Sequence, residues 1–232
     1  MSLALFARRQ LRAQRQHATL GTLSTALPGY PYCSAVPYVL DHDARPILLV
    51  SRLAEHTRNL TADPRVSLFV HEESDDVQAG GRVTLMGKAA RVTEPDAGTA
   101  RYVRYFSGAQ ALREQLDVDF YRIEPISLRV VVGFAKAHWI SREAYAPPAG
   151  DYAEEEEKTL ALLNSRCAER LRRYCGRLRG TPVNDAALIG IDCDGFDIVV
   201  SGNVLRRNFE TTAPHAAQAV EGIERALRSG TA

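Results

Sequence analysis

The chain has 232 residues, 45% of them hydrophobic and 25% charged, with a formal net charge of +1 at pH 7. This is the composition of an ordinary globular protein with enough core for one large domain or two modest ones, and it gives no electrostatic ground for nucleic acid or an acidic surface as partner. No apolar run approaches the roughly 20 residues that span a bilayer, and the four cysteines (Cys33, Cys167, Cys175, Cys193) contain no C-x-x-C pair, so free buried thiols in a reducing cytosol are expected.

The opening segment, MSLALFARRQLRAQRQ, puts its arginines after the apolar stretch, the reverse of a secretory signal. A cytoplasmic protein with no membrane contact is therefore expected. Leu3 to His17 has the periodicity of an amphipathic helix, with Leu3, Ala7 and Leu11 on one face. Ala18 to Ala26 reads as a strand, Pro28-Gly29 as a turn, and Tyr32 to Leu40 as a second strand, where Pro37 argues for an edge or a bulge. Ile47 to Val50 is a compact apolar strand. Ser51 and Arg52 form a polar turn, Leu53 to Leu60 a short helix, and Asp63-Pro64 its stop. Arg65 to Val70 is again a strand, able to pair with Ile47–Val50. Hydroxyl, guanidinium and imidazole groups at a helix start are the chemistry of an anion seat.

Glu72 to Gly81 is an acidic loop, read as solvated surface rather than a metal site. Arg82 to Val92 is a long strand, Glu94 to Phe106 and Ala109 to Leu116 are helices, and Phe120–Glu124, Leu128–Gly133 and Ala137–Ile140 are strands. Six or more strands on mostly hairpin-length links predict an α+β fold built on a small closed antiparallel barrel. Ala146 to Gly150 reads as a linker, so two domains are predicted, residues 1–146 and 151–232. In the second, Tyr152 to Cys175 is a helix with an acidic start and a basic end, as the helix dipole favours. Ala187–Asp192 and Phe196–Ser201 flank the hairpin signal Asp194-Gly195. Val204–Phe209 is a third strand, and Ala213–Arg228 a last helix capped by Thr212.

None of the six histidines forms H-x-x-x-H or H-E-x-x-H, so no zinc site is expected. Asp192-x-Asp194-Gly195 lacks the rest of a calcium loop and reads as a hairpin. No G-x-S-x-G, Walker loop or G-x-G-x-x-G is present.

The string S-x-L-A-E-H-T-x-N-L-x-x-D-P-R-x-S-L, from Ser51 to Leu68, resembles the flavin-phosphate segment of the pyridoxamine 5′-phosphate oxidase-like FMN-binding split barrels. It is most similar to their haem-iron utilisation branch. The tail, G-I-D-x-D-G-F-D followed by L-R-x-x-F, resembles the small α/β domain often appended to that branch. The resemblance implies a six-stranded or larger antiparallel split β-barrel, a homodimer with flavin between the subunits, and flavin redox chemistry on a small-molecule substrate. It implies FMN-binding roles for Ser51, Arg52, His56 and Thr57 at the phosphate. His56 stands where the oxidases have lysine. Arg82 and Thr84, two apart on one strand face, and Ser34 are carried over to the flavin ring. Lys136 and Trp139, in V-V-G-F-A-K-A-H-W-I, would border the flavin or the substrate.

No general acid or base emerges, and the substrate-phosphate arginines and R-L-x-P ending of true pyridoxamine-phosphate oxidases are not found. A second reading on the same fold is a haem-binding or haem-degrading protein. It needs an iron ligand (His215 or His138) and arginines for the propionates (Arg206 and Arg207). A third is a dimeric binding protein without a productive cofactor.

Overall fold

The computed structural model describes residues 1–14, 18–72, 74, 76, 78–133 and 136–229. His17, Glu73, Asp75, Phe134 and Ala135, used in the readings above, lie outside the described residues. The chain forms two compact units, Met1–Ala146 and Pro147–Ala232.

The first unit runs α1 (Leu3–Ala13), β1 (Ala18–Leu23), β2 (Pro31–Val36), β3 (Val39–Leu40), β4 (Pro46–Ser51), α2 (Glu55–Ala62), β5 (Arg65–His71), β6 (Arg82–Arg91), α3 (Ala97–Tyr105), α4 (Ala109–Gln115), β7 (Val118–Val131), β8 (Ala137–Ser141) and α5 (Arg142–Tyr145). The strands make one antiparallel sheet in the order β2-β1-β5-β6-β7-β4-β3. The 14-residue β7 pairs with β4 through its first half and with β8 through its second.

The two ends of this ladder, β2 and β3, are separated in sequence only by Pro37 and Tyr38. In a flat sheet six inter-strand steps of about 4.8 Å would hold them roughly 29 Å apart. Three Cα–Cα steps cover about 11 Å. The sheet therefore has to curl until its edges meet. Pro37, which has no N–H to give a ladder, divides the predicted Tyr32–Leu40 strand into the two edges. Among the described residues no pairing joins β2 to β3. The barrel is split, as the family resemblance implies and unlike the closed barrel read from strand count; among the described residues the chain, rather than a hydrogen-bond ladder, joins its edges.

Two other expectations are corrected. Strands β4 and β5 do not pair, because β6 and β7 lie between them in the sheet and α2 carries the chain across. Phe120–Glu124 and Leu128–Gly133 are one strand, not two. A register shift between Met86 and Gly87 absorbs Ile126 as an extra residue. Gly87 is required there, since a Cβ would come 2.3 Å from the Glu124 carbonyl oxygen.

Alternation along the strands sorts residues onto two faces. Leu20, Leu68, Leu85, Leu128 and Ile140 are cross-strand neighbours in one row, all buried in the barrel. One residue along, Thr19, Phe69, Thr84, Arg129 and Trp139 make the matching outward row. Helix α3 starts at an Asp96–Thr99 capping box, directly after Pro95.

The second unit contains α6 (Tyr152–Arg179), the meander β9 (Ala187–Asp192), β10 (Gly195–Val200) and β11 (Asn203–Asn208), and α7 (Ala216–Ser229). Helix α6 buries Tyr152, Glu156, Leu160, Leu163, Cys167, Leu171 and Tyr174, a helical stripe. It ends at Gly180, whose φ of 69° is the left-handed cap. The β9–β10 hairpin forms as predicted, but Gly195 lies in β10, where a Cβ would come 2.1 Å from the Arg207 carbonyl oxygen. The left-handed pair is Ser201 and Gly202, between β10 and β11. Helix α7 begins three residues later than expected; the Ala216 N–H donates to Asp151 Oδ1, and Thr212 is not its cap. The fold buries three of the four cysteines, as expected, and leaves Cys33 exposed. Among the described residues no helix is long and apolar enough to cross a membrane.

Candidate functional site

The predicted phosphate seat is the junction of β4 and α2, and the fold brings Ser51, Arg52, His56 and Thr57 together there. Except for the His56 ring, their polar groups are spent on the protein itself. The Thr57 hydroxyl donates to the Ser51 carbonyl at 2.6 Å, and the Ser51 hydroxyl accepts from the Leu53 N–H at 3.2 Å. Arg52 makes a forked pair with Asp119 (2.6 and 3.1 Å) and an ion pair with Asp117 at 2.8 Å. The same pairing, together with Arg91, pulls the Asp119 carboxyl below its ordinary range. Arg58 lies 3.4 Å from Glu55, itself a negative charge in the first turn of α2. Burial lowers the pKa of His56, and its Nε2 is enclosed without a hydrogen-bond partner. A neutral imidazole therefore stands where the oxidases carry a lysine. Ala54, the residue before the helix, has no capping side chain. A phosphate dianion would find backbone N–H groups here and a cation already neutralised by two carboxylates.

Asn59 was passed over in the sequence because buried asparagines leave no pattern. It is fully buried and ties α2 to the β1–β2 hairpin: its Oδ1 accepts from the Thr25 N–H (2.9 Å) and hydroxyl (3.0 Å), and its Nδ2 donates to Thr22 Oγ1 (3.0 Å). Ser34 lies on β2 opposite Leu20, in line with the core row, and its hydroxyl is enclosed without a partner.

The remaining candidates fall on a second region, the outward face of β5 to β8. Arg82 and Thr84 sit side by side on β6, and Trp139 on β8 is 57% exposed. The fold adds residues that the sequence did not single out. Arg129, between Thr84 and Trp139, lies 5.4 Å from the Trp139 ring centre. Phe69 and His71 on β5 are cross-strand from Thr84 and Arg82, with their rings 5.8 Å apart. Period-two reading of β5 alone could have found His71; its neighbours come from strands 11 to 68 residues away. Lys136 lies exposed in the β7–β8 turn, outside this row.

In the second unit, Arg206 is not available for propionates. Its side chain is buried and bound by Asp192 (2.7 and 2.8 Å) and Asp197 (3.0 Å). Desolvated carboxylates of this kind need their cation. Arg207 lines a cleft of about 370 Å³ with Tyr174, Glu221 and Arg225. His215 is exposed at the start of α7, its Nδ1 3.5 Å from Asp151. His138 is exposed on β8, cross-strand from the core residue Val130.

The pyridoxamine 5′-phosphate oxidase family profile matches residues 7–131. A chloroplastic protein of Arabidopsis thaliana named a non-canonical heme oxygenase is 32% identical over 195 residues, 81% of this chain and 60% of its own; the chain thus spans less than two thirds of that relative. Among solved structures, a heme binding protein from Mycobacterium smegmatis superimposes with a TM-score of 0.54 at 28% identity, over 99% of this chain and 98% of its own. A protein of unknown function from Agrobacterium tumefaciens reaches a TM-score of 0.72 at 23% identity, over 97% and 94%, a likeness of fold.

Proposed function

The chain belongs to the pyridoxamine 5′-phosphate oxidase family, and from that premise we propose that it is a haem-binding protein of the split-barrel type that serves haem breakdown, rather than an FMN-dependent oxidoreductase. The observation that carries this reading is the chemistry at the β4–α2 junction. A flavin phosphate needs uncommitted donors and positive charge. There Arg52 is held by Asp117 and Asp119, the Thr57 hydroxyl by a backbone carbonyl, and His56 is kept neutral by burial. Two relatives whose names include heme agree with it. Haem asks for something different: an iron ligand, apolar surface for the macrocycle and arginines near the propionates. The outward face of β5–β8 offers those types in His71, Phe69, Trp139, Arg82 and Arg129. When bound, the haem iron would supply the redox chemistry; the protein's part is to seat the ring and hold its carboxylates. A second copy of the chain covering this half-exposed face is part of the proposal, since an open sheet face leaves a planar ligand in water.

FMN binding remains the second reading, favoured by the family match over the barrel. An absorbance spectrum of the purified chain, titrated in parallel with haemin and FMN, separates the two. The expected result is a Soret band that saturates at one haem per chain or per two chains, with no flavin retained after gel filtration. Tight FMN binding without a saturable Soret band would reverse the order of the readings.

A further inference from the structure

We infer that His71 is the iron ligand of this chain, an assignment that rests on the proposed haem reading and goes beyond it by naming the donor atom. The His71 Nδ1 lies 2.8 Å from the Glu72 carbonyl oxygen. A carbonyl can only accept, so Nδ1 carries the proton. The neutral ring then has its lone pair on Nε2. This is the tautomer that metal-binding histidines use, with the second nitrogen oriented by a backbone carbonyl. The side chain is exposed at the end of β5 and points outward, on the same face as Phe69, whose ring is 5.8 Å away. Arg82 is its direct cross-strand partner. Arg129, in the neighbouring row two strands away, lies at a lateral offset of about 10 Å. One donor, an aromatic wall and two guanidinium groups thus share one sheet face.

Three other histidines, His56, His138 and His215, lack this combination. His56 Nε2 is enclosed inside the barrel unit. His138 is set on the opposite face of the sheet by its pairing with Val130. The Nδ1 of His215 faces the Asp151 carboxylate, and the residue lies at a helix start, where no sheet face surrounds it.

The test is a haemin titration of the full chain and of the variants His71→Ala, His138→Ala and His215→Ala, read by Soret position and affinity. Loss of even an outer-shell partner of a metal ligand costs about 10–100-fold, so His71→Ala should weaken binding at least about tenfold. It should also shift the Soret band, and excess imidazole should restore the wild-type position. His138→Ala and His215→Ala should bind as the wild type does. Circular dichroism and thermal melting check that His71→Ala is folded, as its exposed position implies. A His71→Ala spectrum and affinity equal to wild type would overturn the assignment while leaving the haem reading intact. Absence of a saturable Soret band in the wild-type chain would overturn the haem reading itself, and the assignment with it.

Discussion

The β4–α2 junction and the outward face of β5–β8 are furnished with similar side chains, arginine, threonine, histidine and a hydroxyl or aromatic neighbour, but they use them in opposite ways. At the junction the groups point at one another and at the protein: Arg52 to Asp117 and Asp119, Thr57 to Ser51, Arg58 to Glu55, Asn59 to Thr22 and Thr25. On the sheet face Arg129 leans on Trp139, and His71 is exposed, with its Nδ1 on the Glu72 carbonyl. The first region holds a helix in place; on the second, Arg82 also donates to the Gln78 and Gly80 carbonyls, while Trp139 and His71 stay exposed. Residue type alone predicts what a position can donate, whereas the neighbours decide whether the donation is already made.

The largest expected effect breaks the first region. Asn59→Ala removes three hydrogen bonds from a fully buried site and leaves the Thr25 N–H and the Thr22 hydroxyl short of a partner. Thr25 is exposed and can turn to water, whereas the buried Thr22 hydroxyl keeps only the Tyr32 carbonyl; at about 1–3 kcal/mol for an unsatisfied buried group, the variant should lose about 1–3 kcal/mol in a denaturant melt. Haem affinity of the folded fraction should be unchanged, because α2 serves the scaffold. A fall in haem affinity larger than the fall in stability would mean that the junction belongs to the site after all.

Trp139→Ala probes the second region and should behave the other way round. The ring is mostly exposed, and its contact with Arg129 is of the kind worth about 0.5–1 kcal/mol at exposed sites. The melt should therefore move by about 1 kcal/mol or less, while haem affinity on the proposed reading falls several-fold. Equal affinity in variant and wild type would remove Trp139 from the site and confine it to the region around His71.

How much of this was legible in the sequence follows from the range of the interactions. Most of the strands, and an irregularity at Pro37, are local matters of alternation, turn residues and a missing N–H, and they could be read directly; the curl depends on the order of strands in the sheet and could not. The pairing of β4 with β7 instead of β5 could not, because it depends on strands arriving 67 or more residues later. The same holds for Arg52. Next to Ser51 and a helix start it reads as a phosphate ligand, and the carboxylates that claim it lie at Asp117 and Asp119. Arg206 was misjudged for the same reason in reverse: Asp192 and Asp197 are close in sequence, but a hairpin signal does not say that their carboxylates are buried beneath the third strand. Alternation along β5 puts His71 on the outward face, but its Arg82 neighbour across the ladder and its hydrogen bond to the Glu72 carbonyl appear only in the fold.

The smallest effect, and the one that isolates His56, is a pH dependence. Burial lowers its pKa below the ordinary value of 6.5. The unfolded chain then binds a proton that the folded chain resists, so stability is full above about 6.5 and declines as pH falls through that value toward the lower folded pKa. His56→Gln keeps a polar side chain of similar reach and removes the titration. Melting temperatures measured from pH 7.5 down to 5.5 should fall less steeply in the variant than in the wild type, with the two curves separating below about pH 6.5. Parallel curves would mean that the imidazole is solvated enough to protonate without cost. In that case it could carry the positive charge its oxidase counterpart supplies, and the junction would regain its claim to a phosphate.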